Sequence, residues 1–250
     1  MYQRDSVMSL ACYHRFMGRA VSALLFVLLT SPAVYAADKL DPLSEARQLY
    51  NQRQFDAALA AAERARLNVA VADRADLIGA RAYLERFRQS AAADDLTNAR
   101  ERLRRIDPSR FDALERTELI VGLGEALYFE ESYGAAADLF ETVLDNGNGL
   151  QDDSRDRVLD WWAIAIDRDA GLGPEPGRAN EYQRIRARMR DELTVRPGSA
   201  TAAYWLAAAA RSQGDLQSAW DAVEAGWVRA RLASDRSAAL RTDLSQVLGS

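Results

Sequence analysis

The sequence predicts an all-α protein assembled from successive pairs of helices. Three observations carry that expectation. Alanine, leucine, arginine and glutamate, all good helix formers, dominate the composition, and β-branched residues are thin. Glycine (14) and proline (6) are sparse for 250 residues, so few points interrupt a helix. An apolar pattern at helical spacing also returns down the chain, starting at Phe55, Leu96, Tyr133 and Leu216, about 41, 37 and 83 residues apart.

Residues 1–36 read differently from the rest. Arg15 and Arg19 precede an apolar run from Ala20 to Thr30, Pro32 breaks it, and Val34-Tyr35-Ala36 offers small residues where a signal peptidase reads. This is the three-part pattern of a secretory signal, with cleavage expected after Ala36. The run is short for a membrane anchor, which needs roughly 20 apolar residues. Cys12 precedes the run, the wrong side for lipid attachment. Translation has three possible starts, Met1, Met8 and Met17. Cleavage removes Cys12 and His14, the only cysteine and the only histidine. The mature chain, residues 37–250, would then form no disulfide, no Cys/His zinc site and no histidine-based catalytic triad. Acid–base work would fall to carboxylates, tyrosines and Lys39, the one lysine. The net charge of −5 becomes −7, which argues against nonspecific nucleic-acid binding. No metal or cofactor is expected.

The first pair is read from Ala46 and Leu49, then Phe55, Ala58, Ala62 and Ala65. The second has Leu77, Ile78, Leu84 and Phe87, followed after a stretched gap by Leu96, Ala99, Leu103 and Ile106. In the third, Leu123, Gly124 and Leu127 share one face, and Tyr133, Ala136, Phe140 and Val143 follow at helical spacing. Gly124 is expected to face Ala136, letting two backbones approach closely. The fourth has Val158, Leu159, Trp162 and Ile166 after a possible cap at Ser154, then Tyr182, Ile185, Met189 and Leu193, stopped by Pro197-Gly198. Gly171-Leu172-Gly173-Pro174-Glu175-Pro176-Gly177 between them is expected to be an irregular loop over 171–177, a tolerated surface loop or a binding lip. The fifth has Leu206, Ala207 and Ala210, a Gly214-Asp215 turn, then Leu216, Ala219, Val223 and Gly226. Trp220 and Trp227 share a face with Leu216 and Val223 and are expected in the core. Leu240, Leu244, Val247 and Leu248, after Ser234, form a lone capping helix.

The third pair resembles the tetratricopeptide repeat, whose pattern is Leu-Gly-x-x-Tyr, an aromatic, an alanine three later, an aromatic four beyond and a small residue. The departures are Leu127, where the family prefers tyrosine, and Val143, where it prefers alanine. The resemblance spans residues 41 to 232 and implies a right-handed α-solenoid of about five helix pairs and a C-terminal cap. It also implies a concave groove lined by first helices, carrying Arg47, Tyr50 and Asn51, then Glu118, Val121, Glu125, Tyr128 and Phe129, then Tyr204, Ala208, Arg211 and Ser212. Family members that clamp a peptide's C-terminal carboxylate use a basic and asparagine set, and only Asn51, with Arg47 nearby, fits it.

Trp161, beside a Trp162 that suits the apolar stripe, is the tryptophan best placed to stack a ligand. Arg184, Arg186, Arg188 and Arg190 crowd one helix, with Arg184 over Arg188 and Arg186 over Arg190. That cluster reads as a solvated face paired with acids, or as an anion patch at Arg184 and Arg188. No EF-hand, phosphate loop or dinucleotide fingerprint occurs. The expected function is therefore a non-catalytic protein- or peptide-binding scaffold of a bacterial cell envelope, periplasmic or secreted. The alternatives are a soluble receptor for a small anionic ligand and a carboxylate-based hydrolase.

Overall fold

The computed structural model describes residues 41–146, 150–229 and 237–249. The expected leader, its cleavage point after Ala36, and Ser234 lie outside the described residues. The described residues contain no strand and form α1 (Pro42–Asn51), α2 (Phe55–Arg66), α3 (Ala72–Ser90), α4 (Ala93–Arg105), α5 (Ala113–Phe129), α6 (Tyr133–Asn146), α7 (Asp152–Leu172), α8 (Glu175–Val195), α9 (Ala200–Ser212), α10 (Leu216–Arg229) and α11 (Ser237–Gly249). None of these helices is long and apolar enough to cross a membrane.

The helix starts follow from local chemistry. Asp41 accepts from the Ser44 N–H at 3.1 Å and Pro42 occupies the first turn of α1. Asp112 and Glu115 form a reciprocal capping box on α5, at 2.8 and 3.2 Å. Ser199 caps α9 through the Ala202 N–H, and Asp215 caps α10 through the Ser218 N–H.

Four turns share one device. Arg53, Ala91, Glu131 and Gly214 have φ of 60°, 53°, 62° and 77°, and each stands two residues before the next helix. In three of them the chain closes as a Schellman turn. Gln54, Ser132 and Asp215 donate back to the carbonyls of Leu49, Leu127 and Ala210 at 2.9, 2.9 and 3.0 Å. Only Gly214 adopts the left-handed region without a Cβ penalty.

The α7–α8 junction departs from this device and from the expected loop. α7 runs through Gly171 to Leu172, and α8 begins at Glu175, so the loop over 171–177 is a break at Gly173-Pro174. Pro176 sits in the first turn of α8, where its missing N–H has no intrahelical partner to lose. Ser154 is not the cap of α7 either: the helix starts at Asp152, with Gln151 before it. Ile106 is also outside its helix, as an extended residue that ends α4 and is still buried.

Each helix packs on the next in the chain, and the core is a succession of clusters shared by neighbours. Ala46, Ala61, Ala62 and Ile78 join α1 to α3, and Leu77, Leu84, Leu103 and Leu119 join α3 to α5. Phe140, Leu159, Trp162, Ile185, Met189 and Trp205 join α6 to α9, and Ala207, Val223 and Leu244 join α9 to α11. Gly124 makes the expected close approach, but its partner is the Phe140 ring and not Ala136. Trp220 and Trp227 are not core residues. They are 50% and 39% exposed, beside Leu216 at 69%, because α10 buries the adjacent stripe of Ala219, Ala222, Val223 and Gly226.

Candidate functional site

The odd-numbered helices form a row. α1 touches α3, α3 touches α5, α5 touches α7, α7 touches α9, and α9 touches α11. The even-numbered helices are instead bridged by long arginine side chains. Glu63 of α2 binds Arg102 of α4, Glu141 of α6 binds Arg184 of α8, and Asp145 of α6 binds Arg188 at 2.7 Å. The row of odd helices, at α1, α5 and α9, carries all the residues singled out as a groove.

At its centre is Arg81 of α3. Its guanidinium lies 4.8 Å from the centroid of the Tyr50 ring on α1 and 3.3 Å from Glu118 on α5. Glu125, two turns further along α5, faces the same space, with Arg81, Glu85, Arg88 and Arg157 the charges acting on it. Glu125 makes no hydrogen bond or ion pair with a described residue, unlike Glu118, and Glu85, which Arg88 holds at 2.5 Å. Loss of solvent outweighs the nearby arginines and pushes the Glu125 carboxyl up to about 7 from an ordinary 4.5. The Tyr50 phenol is also raised, first by burial, and its other influences include Arg81, Glu125, Glu85 and Arg157. Arg81 thus ties α1, α3 and α5 together, and Arg157 of α7 is among the charges that act on Tyr50 and Glu125.

An aromatic group borders that space. Tyr128 and Phe129 of α5 meet Trp161 of α7 at 5.0 and 5.8 Å between ring centroids, and Phe129 meets Phe87 of α3 at 5.0 Å. Trp161 stacks on Phe140 at 6.1 Å and is half-buried, whereas Trp162 is fully buried. Further along the row, Tyr204 of α9 has its phenol raised by burial and by Asp243, Asp160 and Asp167. Trp205 Nε1 donates to Asp160 at 2.9 Å, and the Tyr182 hydroxyl donates to Asp167 at 3.0 Å.

The expected residues thus separate. Tyr50, Glu118 and Glu125 come together around Arg81; Tyr128 and Phe129 gather around Trp161; Tyr204 stands with the α7 acids. Arg47 and Asn51 are exposed at the end of the row, and Arg211 is half-exposed without an ion pair to a described residue. Arg184 and Arg188 belong to the other side. Arg184 binds Glu141 and Glu181, and Arg188 binds Asp145 and, at 3.7 Å, Glu192, so their charge is met internally. Sequence reasoning missed Arg81, Glu85, Arg88 and Arg157. The signal was available for α3, because spacing of four and three places Arg81, Glu85 and Arg88 on one stripe.

Among the described residues no group of His, Cys, Asp and Glu is arranged to hold a metal ion. No family model, no curated protein and no solved structure matches the chain.

Proposed function

We propose that this chain is an exported, non-catalytic scaffold or adaptor of a bacterial cell envelope, which holds a protein or peptide partner in a concave groove. In this reading the helices are five tetratricopeptide-like pairs and a capping helix, wound as a right-handed solenoid. The left-handed turn residue recurring before α2, α4, α6 and α10 supports a repeated unit. The fourth pair is the degenerate member.

The observation that carries the groove is the chain of contacts along the odd-numbered helices through Arg81 and Trp161. Arg81 of α3 lies 4.8 Å from the Tyr50 ring of α1 and 3.3 Å from Glu118 of α5, and Tyr128 and Phe129 of α5 meet Trp161 of α7, so successive first helices present one continuous lining. Curvature of stacked repeats is what creates extended binding surfaces. A mixed lining of aromatics, arginines and carboxylates suits a polypeptide, whose side chains and backbone offer both apolar and charged contacts. The charge balance of the chain supports a partner other than nucleic acid.

The experiment is affinity capture from the envelope extract of the source cell, run in parallel with the wild-type protein and a Glu125→Arg/Tyr128→Ala variant. The reading predicts a stoichiometric partner on the wild type that the variant loses. Recovery of no partner, or of the same partner on both, would count against it. Sequencing of the exported protein should begin at Ala37.

A further inference from the structure

The arginines of α8 divide between two sides of the helix. Arg184 and Arg188 turn to the carboxylates of α6. Arg186 and Arg190 turn the other way, to a cleft between α8, α9 and α10 of about 320 Å³. Arg229, from the last turn of α10, lines the same cleft.

The cleft has a charged rim and an apolar wall. Arg186 is only 8% exposed. It donates to Gln213 at 2.8 Å and to Asp215 at 2.7 Å, and its Nε–H is buried with no partner. Arg190 has no ion pair with a described residue, and among the described residues Arg229 is held only through its Nε, which donates to the Pro197 carbonyl. Asp215 balances Arg186, so Arg190 and Arg229 face one carboxylate in the cleft, Asp221, which already accepts from Gln217 at 2.8 Å. Leu193 and Leu206 supply apolar surface, and the alanines of α9 and α10 leave the volume unfilled.

We infer that this cleft is a binding site for a small organic carboxylate with an apolar body. Guanidiniums bind carboxylates in forked geometry, and two of them here have hydrogen-bond donors to offer. The cleft is open to solvent on one side, and its volume of about 320 Å³ leaves room for a ring and a short carboxylate arm. The head would lie between Arg190 and Arg229, with the body against Leu193 and Leu206. The cleft is lined by none of the residues singled out for the groove, so it stands or falls independently of it.

The test is isothermal titration of the purified protein with 3-phenylpropanoate, its neutral amide and inorganic phosphate. Saturable binding of the acid is expected, at least tenfold tighter than the amide or phosphate. Arg190→Gln/Arg229→Gln should weaken the acid at least tenfold while leaving the melting temperature near wild type. Ala225→Leu, which fills the cleft and leaves every charge, should also abolish binding. No saturable binding, equal affinity for acid and amide, equal affinity for phosphate, or an unchanged double variant would each overturn the assignment.

Discussion

Gly122 and Gly124 lie two residues apart in the middle of α5, and the same substitution should have opposite effects at the two positions. A Cβ on Gly124 would meet Phe140 Cε1 at 2.7 Å and Cζ at 2.8 Å. The ring cannot yield easily, because Phe140 is fully buried and stacked on Trp161. Overpacking of this kind costs about 1–3 kcal/mol. Replacing a mid-helix glycine by alanine returns about 1 kcal/mol. The expected net effect of Gly124→Ala is therefore a loss of roughly 1 kcal/mol. A Cβ on Gly122 would meet Leu103 Cδ2 at 3.5 Å and Arg81 Cγ at 3.9 Å, which is ordinary contact. Gly122→Ala should keep the whole gain of about 1 kcal/mol. The gap between the variants, roughly 2 kcal/mol, corresponds to about 4–8 °C in melting temperature for a domain of this size. Thermal melts followed by far-ultraviolet circular dichroism, with urea midpoints as a second measure, would read it. A Gly124→Ala variant as stable as Gly122→Ala would refute the close approach of α5 and α6.

Three further outcomes are expected. Arg102 is buried against Asp76 at 3.2 Å and also binds Glu63, so Arg102→Leu leaves Asp76 buried without its nearest cation. Arg66 remains 3.8 Å from Asp76, so a loss at the low end for a broken buried pair, about 3 kcal/mol, is expected in urea unfolding, and a loss below about 1 would show the pair to be dispensable. Glu125 holds its proton more tightly folded than unfolded, so its effect on stability is most favourable below pH 4.5 and worsens as pH rises toward about 7. Partial access to solvent makes about 3 kcal/mol the ceiling of that penalty. Glu125→Gln should raise stability at pH 8 and change it little at pH 4; equal effects at both would remove the argument. Glu131→Gly relieves a side chain at φ 62° in an exposed turn and should stabilise by up to about 1 kcal/mol in the same melts, where a loss would contradict the strain.

Much of the fold was legible because buried helix faces write a 3.6-residue period. Phe55, Ala58 and Ala62, or Val158, Leu159, Trp162 and Ile166, could be assigned before any packing was known, and they are buried. Legibility failed where a residue has two meanings. Pro174 and Pro176 read as breakers, yet proline is at home in the first turn of a helix, so a seven-residue loop became a two-residue break. Trp220 and Trp227 share a face, but spacing does not say which flank of α10 a neighbour covers. Gly124 announced a close approach without naming its partner, since register between two helices is a tertiary property.

The site was legible in part for the same reason. Tyr50, Glu118 and Glu125 could be placed on the first helices by analogy. Arg81 and Arg88 share a legible stripe with Glu85, but Arg157 could not be told from the many solvated arginines, because its effect on Tyr50 and Glu125 depends on how neighbouring helices approach. The same holds for α8, where four arginines on one helix serve two sides.

The central claim is that the partner lies on the row of odd-numbered helices. It is tested most directly by placing a photo-crosslinking amino acid at Val121 or Tyr128 on that row, and separately at Glu101 or Asp138 on the even-numbered helices, in the protein produced by its own cell. The account predicts adducts to one partner from Val121 and Tyr128 and none from Glu101 and Asp138. Adducts arising only from Glu101 and Asp138, or from no position, would contradict it.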